Sequence, residues 1–237
     1  MIEVNAVQKA FGKVQAVSDA TFTAGDGQIT TILGANGSGK STTMRAIAGL
    51  IEVDGGEARV DSIHVAKDKI AARKRLGIFP DQFGLYPRLT AREEIRYFAG
   101  FHGLSGRRLR EALDELVPLL GMEDIIDRRT TGFSQGQRMK VALARTLVHN
   151  PQNLMMDEPT RGLDVMNIRL LRKILQDRRD AGHCILLTSH VMAEVHDLSD
   201  RVVVINQGRV VADATPDELV ATTGQASLED AFVSLIQ

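Results

Sequence analysis

Gly34-Ala35-Asn36-Gly37-Ser38-Gly39-Lys40-Ser41 is the stretch that decides the fold. It satisfies G-x-x-x-x-G-K-[ST] at every position, with the apolar run Thr30–Leu33 before it and a predicted helix over Ser41–Leu50 after it. A strand that turns through a glycine-rich loop into a helix N-terminus points backbone N–H groups at one place. The helix dipole adds partial positive charge there, so the loop is suited to phosphate oxygens. Gly34, Ala35, Asn36, Gly37, Ser38 and Gly39 form this cradle. Lys40 supplies a cation for the outer phosphates, Ser41 a hydroxyl for Mg²⁺, and Thr42 a further hydroxyl for phosphate.

Moving outward, short strands are expected over Met1–Val7, Val14–Thr23 and Ile29–Leu33, then Glu57–Val60 after a break at Gly55-Gly56, then Leu76–Phe79. From residue 83 to about 145 the strand patterns vanish, and Ala91–Phe101, Arg107–Leu120 and Arg138–Val148 read as helices. Strands return at Leu154–Met156, Ile185–Thr188 and Arg201–Ile205, and Ser227–Ile236 reads as a closing helix. Alternating strands and helices imply an α/β fold with a mostly parallel sheet. The organisation expected is one domain over 1–237, with a core of about 1–82 and 146–237 and a helical subdomain of about 83–145.

A second set of chemical groups stands at other strand ends. Asn153-Leu154-Met155-Met156-Asp157-Glu158 is an apolar strand closing on two carboxylates. Ligands of open α/β sheets bind at the carboxyl ends of strands, which directs Asp157 to a metal and Glu158 to an attacking water. Thr188-Ser189-His190 ends another strand, bringing His190 to the same edge as a sensor of the terminal phosphate.

Composition narrows the class. The 237 residues carry 29 Lys+Arg against 30 Asp+Glu, a net charge of −1, which argues against a nucleic-acid partner. With one cysteine, Cys184, in an apolar run, neither a disulfide framework nor a cysteine-rich zinc site is available. No stretch approaches the roughly 18 apolar residues of a membrane span, and Met1-Ile2-Glu3-Val4-Asn5 lacks the basic and apolar regions of a signal peptide. The expectation is a cytoplasmic chain that reaches the membrane only through a partner.

Phe133-Ser134-Gln135-Gly136-Gln137 opens the third predicted helix of the middle segment. Together with the phosphate loop, the Asp157-Glu158 strand and the Ser189-His190 pair, in that chain order, the sequence resembles an ABC-transporter ATPase subunit over about residues 2–236. The resemblance implies a P-loop NTPase (RecA-like) fold with an N-terminal antiparallel β portion and a helical subdomain. It implies ATP and Mg²⁺ as ligands, with hydrolysis energising a separately encoded integral membrane permease at the inner face of the cell membrane. By position, Phe11 resembles the aromatic that stacks on adenine. Ser134, Gly136 and Gln137 resemble the signature loop that binds the ATP of a second subunit in a head-to-tail homodimer, and Asp164, in Gly162-Leu163-Asp164, resembles the loop crossing that interface. Here Phe133 stands where the family has Leu, and Gln135 where it has Gly. The family's metal-contacting glutamine falls on Asp81 when counted from Leu85-Tyr86-Pro87 and on Gln82 with a slip of one residue, and both stay open. The segment Leu85–Glu93 looks like the ABC-2 exporter branch, with sodium-export subunits the nearest likeness; drug, lipid or polysaccharide export, or a soluble ABC ATPase outside transport, are the alternatives. Phe83, Leu85, Tyr86 and Leu89 are expected to offer apolar contacts to a permease helix.

Overall fold

Alternating buried and exposed residues start the first strand, but the alternation slips. In the computed structural model, which describes residues 1–237, β1 (Ile2–Phe11) buries Ile2 and Val4 and then Val7. Ala6 adopts a left-handed conformation (φ 47°) and makes a bulge, so that Val7 returns to the buried face. β1 outruns the predicted Met1–Val7 because β2 (Val14–Ala24) pairs with it antiparallel as far as Phe11 opposite Val14. β3 (Gln28–Leu33) leads into the glycine loop and α1 (Lys40–Ile47). β4 (Gly55–Val60) then pairs antiparallel with β1. Gly55 and Gly56 are therefore the start of a strand rather than a break before one. A Cβ on Gly56 would lie 2.2 Å from the carbonyl oxygen of Ala6, so the bulge on one strand requires glycine on its neighbour.

β5 (Ile63–His64) and α2 (Lys69–Lys74) are too short to leave a periodic signal. β6 (Leu76–Phe79) precedes a segment in which α3 (Ala91–Phe101), α4 (Gly106–Leu120) and α5 (Gln135–Leu147) follow one another without a strand. β7 (Asn153–Met156), α6 (Val165–Asp180), β8 (Cys184–Ser189), α7 (Met192–Leu198) and β9 (Arg201–Asn206) resume the alternation. β10 (Arg209–Ala214) and α8 (Pro216–Thr223) fill a stretch for which the sequence offers no pattern, before α9 (Leu228–Ile236).

The sheet order is β5-β4-β1-β2-β10-β9-β3-β8-β7-β6. The run β9-β3-β8-β7-β6 is parallel, and β10 joins it antiparallel to β9. One residue pair, Arg209 with Asp19, connects it to the antiparallel part. The parallel strands are buried on both faces and read as continuous apolar runs for that reason. Cys184 is buried on β8, and burial pushes its thiol up to about 12, as expected of an inert side chain.

One apolar core runs unbroken from Leu109, Leu113, Leu116 and Leu120 of α4 through Met139 and Leu143 of α5 to Leu154 and Ile185 on the sheet. Leu85 belongs to this core and Phe83 packs on its edge, 5.3 Å from the ring of Phe79, so Leu85 offers nothing to a partner. The exposed apolar surface lies beside them instead. Tyr86, Tyr97 and Phe101 stand in edge-to-face contact, at 5.7 Å and 5.1 Å between successive rings.

Candidate active site

Strand register decides what meets at the carboxyl edge of the sheet. Leu33 pairs with Ser189, Met156 with Leu187, and Phe79 with Met156. The chains leaving β3, β8, β7 and β6 therefore emerge side by side, and they enclose a cavity of about 670 Å³. Its lining includes Gly34, Ala35, Asn36, Gly37, Gly39, Lys40, Ser41 and Thr42 of the loop, with Asp81, Asp157, Glu158 and His190.

The loop is wrapped so closely that side chains are excluded. A Cβ on Gly34 would come within 2.5 Å of the carbonyl oxygen of Ile205, and one on Gly39 within 2.6 Å of that of Ala16. Gly39 also has φ 110° at the N-cap of α1, which no side chain caps. The first N–H groups of that helix are thus left for a ligand. The Lys40 ammonium crosses the loop and donates to the carbonyls of Gly34 at 2.7 Å and Ala35 at 3.2 Å. Burial lowers its pKa, while the charges of Glu158 and Asp157 work the other way. Ser38, a predicted contact, turns inward against Gly34 and is buried, so that it shapes the loop without lining the cavity.

The acidic pair is held from β8. Glu158 sits at φ 49°, and its N–H donates to Oγ1 of Thr188 at 2.9 Å. The same hydroxyl donates to Oδ1 of Asp157 at 2.7 Å. Fully buried Thr188 therefore fixes both carboxylate residues at once, and a left-handed non-glycine backbone at this position is the kind of strain found at functional sites. Nδ1 of His190 lies 2.6 Å from Oε2 of Glu158; a carboxylate only accepts, so that nitrogen carries the proton. Thr188 was missed in the sequence although it stands in Thr188-Ser189-His190, and Arg161, which lines the cavity and approaches Asp81 at 3.5 Å, was missed too. Phe232 of α9 also reaches the lining, with no sequence signal to announce it.

Asp81 and Gln82 separate here. Asp81 lines the loop cavity, whereas Gln82 lines an adjoining one of about 410 Å³, which also touches Ser41, Asp81 and Asp157. The groups around Ser41 are a hydroxyl and carboxylates, hard oxygen donors of the kind Mg²⁺ takes. No cluster of three or more His, Cys, Asp or Glu side chains could hold a metal alone.

Phe11 is half exposed at the end of β1 and does not line the cavity, but its pairing partner Val14 and the adjacent Gln15 and Ala16 do. Ser134, Gly136, Gln137 and Asp164 do not line the cavity, and Asn167 joins Asp164 to Gly136. Ser134 and Gln137 make a reciprocal cap at the start of α5, with bonds of 3.2 Å and 3.1 Å. Asp164 caps α6 by accepting from the N–H of Asn167 at 2.9 Å, and those bonds hold its carboxyl below the usual range. Asn167 also presses on Gly136, where a Cβ would come within 2.2 Å of Nδ2.

The profile of the ABC transporter family matches residues 17–161. Over 222 residues the chain is 37% identical to the ABC transporter ATP-binding protein NatA of Bacillus subtilis (strain 168), covering 93% of this chain and 90% of that one. It is 31% identical to the linearmycin resistance ATP-binding protein LnrL of the same organism, covering 99% and 75%. A solved ATP-binding subunit of an ABC transporter superposes with a TM-score of 0.93 at 29% identity, covering 99% of both chains. The cassette MJ0796, solved as a dimer in a post-hydrolysis state bound to ADP and Pi, superposes with a TM-score of 0.81 at 25% identity, covering 91% of this chain and 98% of that one. A glycine loop and a carboxylate pair at strand ends on either side of β8, inside a fold and a sequence of this kind, make the chain a member of the ABC transporter family and one of its ATP-binding subunits.

Proposed function

We propose that the chain hydrolyses ATP and passes the resulting motion to a separately encoded membrane permease. The observation that carries this is the convergence of Lys40, Asp157, Glu158 and His190 on the loop cavity. The loop N–H groups and Lys40 bind the triphosphate. Glu158 accepts a proton from the attacking water while His190 holds its carboxylate in place. Mg²⁺, held by Ser41, Asp157 and Asp81 or Gln82, would neutralise charge on the phosphates. Phe11 would stack on the base from the rim.

Ser134, Gly136, Gln137 and Asp164 do not line this cavity, which supports a role toward the nucleotide of a second copy in an ATP-bound homodimer. The helices over about 83–145 would form the subdomain that carries this second face. No helix is long and apolar enough to cross a membrane, consistent with docking on a permease at the inner face of the membrane. The exposed rings of Tyr86, Tyr97 and Phe101 would supply the apolar grip in place of Leu85.

The cargo proposed from the sequence resemblance is sodium, moved outward by an ABC-2 exporter. Relatives named for linearmycin resistance and for Nod factor export favour an organic cargo as the second reading. Phosphate release by the purified chain, absent in Lys40→Ala, tests the chemistry. Vesicles carrying the chain with its permease test the cargo: ATP-driven sodium efflux supports the first reading, and drug or lipid-like efflux without sodium movement supports the second.

A further inference from the structure

The loop that brings Asp81 and Gln82 to the phosphate site is almost without support of its own. Between Pro80 and Leu85 no backbone group bonds to another backbone group. Two side chains hold it from behind. The guanidinium of Arg145, on α5, donates to the carbonyl oxygen of Phe83. Oε2 of Glu94, on α3, accepts from the N–H of Tyr86 at 3.3 Å. Arg145 and Glu94 are also paired with each other at 3.2 Å, with 8% and 0% of their side chains exposed. The guanidinium lies over the ring of Phe98, 4.5 Å from its centroid.

A buried ion pair is a poor way to gain stability, since both charges lose water. Burial pushes the Glu94 carboxyl up and the Arg145 guanidinium down, against their mutual attraction. What the pair gains is geometry: a rigid fork on one helix and a carboxylate on another fix Phe83 and Tyr86 in a loop otherwise held by Thr130 at the Tyr86 carbonyl, by Arg161 at Asp81 and by the burial of Leu85.

We propose that Arg145 and Glu94 are positioning residues for ATP hydrolysis, clamping the chain at Phe83 and Tyr86 and so setting where Asp81 and Gln82 stand against Ser41 and Asp157. This rests on the function proposed above. Because α5 begins at the Ser134 cap and carries Arg145 in its last turn, the clamp also ties that helix to the loop.

Hydrogen exchange on the purified chain reads the clamp without ATP. In Arg145→Lys and Glu94→Gln, the amide of Tyr86, which donates to Glu94, should exchange at least tenfold faster, while those of β3 and β7 keep their rates. Turnover at saturating ATP should fall fivefold or more, with ATP affinity unchanged within twofold. A simple loss of folding would not divide the two quantities in this way. If the single variants fail to fold, Glu94→Leu/Arg145→Met, which removes both charges and keeps the core filled, is read in their place. Unchanged exchange in a folded variant overturns the clamp, and faster exchange with normal turnover overturns its positioning role. An unaltered chain that does not hydrolyse ATP would instead overturn the proposed function, leaving exchange to decide the clamp.

Discussion

The carboxylate of Glu158 is held by His190 at 2.6 Å, from a backbone position that Thr188 fixes at 2.9 Å. Two residues at the end of β8 thereby aim the terminal acid of β7. Glu158→Gln keeps the shape and removes the proton acceptor. ATP binding should persist by calorimetry, and phosphate release should fall by about 10² or more. Sedimentation should then show an ATP-dependent dimer, because the closed state is no longer consumed.

Thr188→Val keeps the volume of a buried side chain and deletes both of its hydrogen bonds. Leaving such groups unpaired costs about 1–3 kcal/mol, so turnover should drop roughly tenfold or more with little change in ATP affinity. Thr188→Ser should restore most of it. Equal activity in both variants would remove Thr188 from the site.

Asp81 lines the loop cavity and Gln82 the adjoining one. Asp81→Asn should therefore raise the Mg²⁺ concentration for half-maximal turnover several-fold, and Gln82→Ala should change it less. The opposite ranking would assign the metal contact to Gln82.

Stability should depend on pH through a pair of rings far from this chemistry. His149 stacks on His102 at 3.5 Å, and burial, followed by the charge of His102, lowers its pKa to about 4. Between its ordinary value of 6.5 and about 4, the unfolded chain binds a proton that the folded chain does not. Folding free energy is therefore lost as pH falls through that window, by about 2 kcal/mol between pH 7 and pH 5. Urea unfolding at the two pH values measures this, and His149→Phe should reduce the difference.

The phosphate loop was legible in the sequence because its requirements are local: glycine where the backbone turns tightly, lysine and serine at the helix start. Asp157 and Glu158 were legible because an apolar run ends in them. Thr188 was not, since its task depends on the register of β7 against β8, which no spacing along the chain encodes. Leu85 looked like a surface contact in its own segment, and the packing of α3 and α5 buries it. Asp81 and Gln82 stayed open in the sequence because they lie on an irregular loop that carries no periodic pattern and touches side chains of α3 and α5. Ala6 belongs with these cases: the bulge it makes lengthens a strand whose alternation had stopped.

The neighbours of β3 in the sheet are β8 and β9, and the turn that follows β9 reaches the phosphate loop, with the N–H of Gly208 donating to the carbonyl of Ser38 at 2.8 Å. During synthesis, the strand that leads into this loop waits for partners made about 155–170 residues later, on the order of 10–30 s at ribosomal speeds. Over that interval the apolar face of β3 lies open to chaperones and to other nascent chains. A ribosome-stalled chain ending before Cys184 should bind no nucleotide, and nucleotide protection should first appear once Gly208 has cleared the exit tunnel.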